Sequence, residues 1–203
     1  GFTLIEVMVV VVIIVAMVTI VIPRMNNRNN ELKKVVRELR VLSRELYQRS
    51  RLKGVTYRLA IHMPEERLRG RSEFQYWAEK SNQPVLFDPE GSKAEEDETG
   101  EDSDDAENSG PAGDFAPAED VFGGKKKTLL APLEFEQVEI RGIERPIETG
   151  TAYIHYLPAG YTQEAAVQIK MTDTQHWTMY IHPVTGRAEI LPQKKGLEEI
   201  RRQ

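Results

Sequence analysis

Glu6 is the only ionisable side chain between Phe2 and Ile22, a run of 21 residues in which only Thr3, Glu6 and Thr19 are not apolar. A carboxylate in such a setting is costly unless a partner or water reaches it, so it marks a functional position by default. Two other stretches have residue types that do chemistry. Between Asp88 and Asp120 there are fourteen Asp or Glu against the single Lys93, the oxygen-rich composition that hard cations such as calcium require. The ligand spacing of a calcium loop is absent, and the run reads as a solvated loop. Gly123-Gly124-Lys125-Lys126-Lys127-Thr128 has the composition of a phosphate loop without its spacing or its strand-to-helix setting. Its lysines read as delimiting, or loosely pairing with, the acidic run.

Catalysis finds no constellation. His62, His155, His176 and His182 fall in strand-like stretches, two or more residues from an obvious carboxylate. They read as ordinary surface or edge residues, and neither a zinc-helix motif nor a nucleophile elbow is present. Trp77 and Trp177 read as core or sheet aromatics. The chain has no cysteine, which excludes disulfides, thiol nucleophiles and thiolate metal sites and leaves the compartment open. The expectation is a protein that is not an enzyme, with no catalytic residue, no metal and no cofactor.

The elements that must position Glu6 follow from the same run. Twenty-one helical residues rise ~30 Å, the thickness of a bilayer's hydrocarbon core. The run is too long for a signal h-region, and Ile22-Pro23-Arg24 is no cleavage site. Fifteen of its residues are Val, Ile or Thr, mediocre helix formers in water, so loosening near Pro23 is expected once the segment packs in protein. Beyond it, Leu32, Val35, Val36, Leu39, Leu42 and Leu46 recur at helical spacing. Arg37, Arg40 and Arg44 interleave with Glu38 and Glu45 at distances that permit pairing. Lys53-Gly54 is the expected stop. The rod would be ~75–80 Å long, with its apolar stripe covered by a sheet.

Gly1-Phe2-Thr3-Leu4-Ile5-Glu6, running straight into the apolar helix, resembles the processing site of type IV pilins and type II secretion pseudopilins. The resemblance covers Gly1 to about Pro23. It implies that a prepilin peptidase cuts between Gly1 and Phe2, that Phe2 becomes the N-methylated terminus, and that Glu6 is the assembly glutamate. It also implies a short basic leader ahead of Gly1, retained inside the cell. The leader would answer the positive-inside objection raised by Arg24, Arg28, Lys33 and Lys34. The family's use of Pro23 is a local melting of the helix on assembly.

From Val55 the period changes. VTYRLAIHM, FQYWAE, PLEFEQVEI, TAYIHYL, AVQIKM, WTMYIH and RAEIL carry β-branched and aromatic residues, separated by Pro, Gly and Asn turns. No further helix is expected. The stretch 88–127 reads as a disordered loop, since EGSKAEEDETGEDSDDAENSGPAGD lacks any Ile, Leu, Val or aromatic residue. Tyr153–Leu157, the Pro158–Gly160 turn, Val167–Met171, Trp177–His182, the Pro183–Arg187 turn and Ala188–Leu191 together resemble the end of H-type minor pseudopilins.

The expected fold class is α+β. A long N-terminal helix would have a transmembrane half (2–22) and an amphipathic half (23–54), packed on an antiparallel sheet or sandwich head (55–203). The resemblance implies a minor pseudopilin at or near the tip of a periplasmic pseudopilus, or else a type IV minor pilin of pilus assembly or DNA uptake. Its implied location is the bacterial inner membrane, single-pass, with the head in the periplasm. Implied partners are other pseudopilins, the prepilin peptidase, the secretion platform and exported proteins. Only Lys194, Lys195, Arg201 and Arg202 form a basic tail on the head, which argues against nucleic acid.

Overall fold

The computed structural model describes residues 3–65, 73–81, 115–172 and 175–202, with the side chains of 18–30 outside the description. Helix α1 runs Leu4–Lys53. In its second half Leu32, Val36, Leu39, Leu42 and Leu46 are buried at intervals of three and four residues, the spacing that puts them on one face. Gly54 ends the helix at φ 67° and ψ 22°, its N–H returning to Ser50 O at 3.0 Å. That left-handed geometry is strained for residues with a Cβ and not for glycine.

The rest is β. In chain order the strands are β1 (Thr56–Met63), β2 (Gln75–Ser81), β3 (Phe115–Pro117), β4 (Lys127–Thr128), β5 (Glu134–Ile140), β6 (Gly150–Tyr156), β7 (Ala165–Thr172), β8 (Gln175–Ile181) and β9 (Ala188–Leu191). A short helix α2 (Leu197–Arg201) follows. One antiparallel sheet has the order β3-β2-β1-β6, with β4 sharing the outer edge of β2 with β3. The other has the order β5-β7-β8-β9.

Alternate residues point to one core, as the two-residue period of a strand demands. Tyr57, Leu59, Ile61 and Met63 of β1 enter it beside Ile154 and Tyr156 of β6, and Val167, Ile169, Met179 and Ile181 enter from the other sheet. Phe135 of β5 meets Phe74 and Tyr76 edge-on, with ring centroids 6.5 and 6.2 Å away, and so joins the two sheets. Helix α1 touches β1 and β6 of one sheet and β8 and β9 of the other.

The expected architecture is corrected. A long helix laid along a sheet is not what packs here: α1 contributes to the core only a short stretch, from Leu32 to Ser50. The body is two antiparallel sheets. No helix is long and apolar enough, among the described residues, to cross a membrane. Single-pass anchoring in an inner membrane is accordingly not supported. The acidic loop expected over 88–127 is also too long at its C-terminal end. Phe115–Pro117 pairs with β2, Phe122–Gly124 forms a 3-10 turn and Lys127 opens β4; its part from Asp88 to Asp114 lies outside the described residues. Helix α2 was not expected at all, five residues being too few to show a period.

The turn between β8 and β9 docks on α1 without clearance. Ser43 Oγ donates to Gly186 O at 2.9 Å and Tyr47 Oη to Val184 O at 3.0 Å. A Cβ added at Gly186 would lie 2.5 Å from Tyr47 Cβ and Cγ, at a backbone φ of 59°. Gly186→Ala is expected to lower the unfolding free energy by about 2 kcal/mol or more, measured by urea denaturation of the two proteins side by side. An unchanged midpoint would mean that the turn does not depend on this contact.

Candidate functional site

Among the described residues of the first half of α1, every side chain from Leu4 to Met17 is exposed. The large apolar residues from Leu4 to Met17 are between 49% and 83% exposed, a contiguous surface of the kind that marks an interaction site. Glu6 lies in the first turn, where the helix dipole favours a carboxylate, and it is exposed. Gly1 and Phe2 lie outside the described residues. Pro23 sits inside the helical backbone of α1, and its side chain is not described. Of the other expected site residues only the backbone of Pro23 is described, and it lies further along the same helix, not beside Glu6.

The second half of α1 carries a feature with the opposite chemistry. Lys33, Arg37, Arg40, Arg44 and Arg51 are all exposed and fall within about 60° of one another around a helix of 3.6 residues per turn. They form a line of ~27 Å along the axis. The pairing expected with Glu38 and Glu45 does not occur. Glu38 receives Lys127 from β4, and Glu45 receives Arg49 at 2.6 Å. Both acids lie on the other flank of the helix, so among the described residues none of the five cations has an ion-pair partner. Two shallow depressions border the line. One, of about 520 Å³, is lined by Lys33, Lys34, Arg37, Glu38 and the exposed Val41. The other, of about 560 Å³, runs between Arg40 and the His182–Ile190 hairpin, with Arg187 in its wall.

Several buried polar groups are bound to one another, although Arg58 Nη1, Asp120 Oδ1 and Gln168 Oε1 have no partner. Asp120 Oδ2 accepts from Lys53 Nζ at 2.5 Å, Tyr57 Oη at 2.8 Å and Arg49 Nη1 at 3.0 Å, tying the C-terminal end of α1 to the segment before β4. Burial works to raise its pKa, but hydrogen bonds from Lys53 and Tyr57 outweigh it and hold the carboxyl down at about 2. Arg58 lies between the rings of Phe115 and Tyr153, at 3.8 and 3.9 Å from their centroids, a stacked cation contact. Its Nε donates to Glu79 at 2.5 Å, and the other Glu79 oxygen accepts from Trp77 Nε1 at 2.6 Å. Glu164, 4% exposed, accepts from Tyr180 Oη at 2.7 Å and Arg141 Nη1 at 3.2 Å. Burial, then that hydrogen bond, pushes Tyr180 up to about 12.

The histidines differ from the expectation of plain surface residues. His155 is 3% exposed and takes Gln163 Oε1 at 2.8 Å from its Nδ1; burial lowers its pKa and keeps the ring neutral. His176 Nδ1 is 3.0 Å from Glu136, and His182 Nε2 is 3.4 Å from Glu189. Glu136 comes from β5, 40 residues from His176, and Glu189 from β9, seven residues from His182 across one turn. Of the lysines of Gly123–Thr128, Lys126 stands over Trp77 and Lys127 over Phe122; the acidic run from Asp88 to Asp114, with which they were expected to pair, lies outside the described residues. Among the described residues no group of three His, Cys, Asp or Glu could hold a metal. Asp120, Arg58 and Ser43 were missed by sequence reasoning, because their partners are 21 to 143 residues away and no local pattern signals them.

Comparison with known proteins adds no relative: no family model, no curated protein and no solved structure matches the chain.

Because Asp120 titrates below the carboxylate range of the unfolded chain, its contribution to stability is complete above that range and is lost as pH falls from about 4 toward about 2. In urea unfolding between those pH values, Asp120→Asn is expected to be less stable than the parent at the upper end and equal to it at the lower. A constant difference across the range would show that the carboxylate is not what these donors hold.

Proposed function

We propose that the chain is a structural subunit of a pilus-like assembly, a minor pseudopilin of a type II secretion system, and not an enzyme. The observation that carries the reading is the exposed apolar helix from Leu4 to Met17 with Glu6 as its single charge, following the Gly1–Glu6 stretch that resembles a prepilin processing site. Cleavage between Gly1 and Phe2 leaves a cationic amine four residues from Glu6. The two charges stand ~6 Å apart along the helix axis. A neighbouring helix displaced by that distance sets its amine against this carboxylate. Inside a bundle of apolar helices a paired carboxylate costs far less than an unpaired one, so subunits add at one stagger. Partners under this reading are other pseudopilins, the peptidase, the secretion platform and exported proteins.

Glu6→Ala is expected to be processed at Gly1–Phe2 as before and to enter the assembly about tenfold less well. Mass spectrometry of the N-terminus checks the first outcome, and immunoblotting of sheared assemblies the second. Incorporation at the parental level removes Glu6 from the mechanism.

A further inference from the structure

We propose that the outer face of the β5-β7-β8 sheet is a binding groove for a basic peptide segment of another protein, held shut in cis by residues 193–201. The proposal goes beyond the reading above and does not rest on it. The groove reads the main chain of its occupant. Thr178 Oγ1 donates to Gln193 O at 2.8 Å and accepts the Lys195 N–H at 3.0 Å. Gln168 Nε2 donates to Lys195 O at 3.4 Å, and Glu139 Oε2 accepts the Leu197 N–H at 2.8 Å. Two carboxylates select for cations: Glu136 accepts from Lys194 Nζ at 2.8 Å, and Glu164 lies 4.0 Å from Arg201. Hydrogen bonds to backbone atoms, with charges placed for particular side chains, are the means by which a peptide segment is recognised.

The two sides of this contact are built differently. Thr178, Gln168 and Glu164 are buried, and the first two stand on the inner strands β8 and β7. No residue from Pro192 to Arg202 is buried. The segment therefore has no apolar anchor in the core, and chain held by polar contacts alone is among the first to open. Nor does it fill its seat. Gln168 Oε1 is buried without a hydrogen-bond partner. A hollow of about 270 Å³ remains between α2 and the β5–β6 connection, bounded by Ile143, Pro146, Glu164, Leu197 and Arg201 among others. When the segment leaves, Glu136 keeps His176 at 3.0 Å and Glu164 keeps Tyr180 at 2.7 Å, so both carboxylates stay in position. Thr178 Oγ1 and Glu139 Oε2 lose their backbone donors, which a second peptide supplies. A better occupant carries the charge of Lys194 and, in place of Leu197, a larger apolar side chain that fills the hollow.

The test uses the full chain and a fluorescein-labelled peptide with the sequence of Leu191–Arg202, read by fluorescence anisotropy. Lys194→Glu with Arg201→Glu, both at exposed positions, releases the segment in cis and leaves the groove itself untouched. Hydrogen exchange at the Lys195 and Leu197 amides should then quicken while that of β7 and β8 stays as in the parent. The peptide is expected to bind this variant at least ~10-fold more tightly than the parent, whose groove is occupied. Leu197→Trp in the peptide should tighten binding a further ~3-fold or more. Adding Glu136→Lys to the released variant should remove binding of the parental peptide and restore it to a peptide with Lys194→Glu. Equal affinity for parent and released variant overturns the proposal, as does binding indifferent to Glu136→Lys. Amides that exchange as slowly after the charge reversal also overturn it, since the segment is then not a removable cover. So does a parental dimer that has exchanged its own 193–201 segments, seen by size-exclusion chromatography with light scattering, because the groove then serves a second copy.

Discussion

A helix that must satisfy two sheets at once sets the terms for the rest of this protein. The row Leu32, Val36, Leu39, Leu42 and Leu46 fills the space between the sheet of β1 and β6 and the sheet of β8 and β9. Neither sheet can cover that row alone. Burying five such side chains contributes on the order of 10 kcal/mol before entropy is counted. The fold is therefore organised around the second half of α1. Phe135 across the sheets and Asp120 across the helix end are its two reinforcements.

Packing on one side of α1 decides what is left on the others. Glu38 and Glu45 stand on the flank that faces β4 and Arg49, and they are neutralised there. The neighbouring flank carries Lys33, Arg37, Arg40, Arg44 and Arg51 with no acid among them. The cationic line is thus a by-product of how the acids are used. A chain with a net charge of −5 has a strongly positive face because its negative charge is spent inside the fold or placed in the stretch 88–114. Electrostatics here follows from register, since a shift of one residue in α1 would trade Glu38 for Arg37 beside Lys127.

Histidines and buried carboxylates show the same dependence on distant partners. His176 meets Glu136 and Tyr180 meets Glu164 because antiparallel pairing sets β7 between β5 and β8. Each of these pairs joins residues that only the sheet brings together. On the outside stand an apolar stretch of helix bearing one carboxylate, and a cationic face. Both are surfaces that call for other chains.

Much of this could be read locally and some of it could not. The leucine spacing of 32–46, the change of period at Val55, and the turns at Pro158–Gly160 and Pro183–Gly186 are short-range patterns, and they marked helix, strands and turns close to where they lie. Glu6 stood out because its neighbours are all apolar. Local pattern misjudged how much of the helix packs on the sheets. A hydropathic run states how greasy a segment is, whereas the length that packs is set by where the sheets are. It also misassigned 115–127, since Phe115–Pro117 becomes a strand only because β2 offers a free edge. Glu38 went to Lys127 because β4 pairs on that same edge, whereas Glu45 met Arg49 through a spacing of four within the helix itself. Residue type and spacing determined which segments are helix or strand and which surface is apolar, because those depend on bonds within a few residues. Which charges pair, which histidine is buried and which face of α1 stays positive was decided by tertiary structure alone, because Coulomb and contact energies depend on separation in space, and the fold sets that separation.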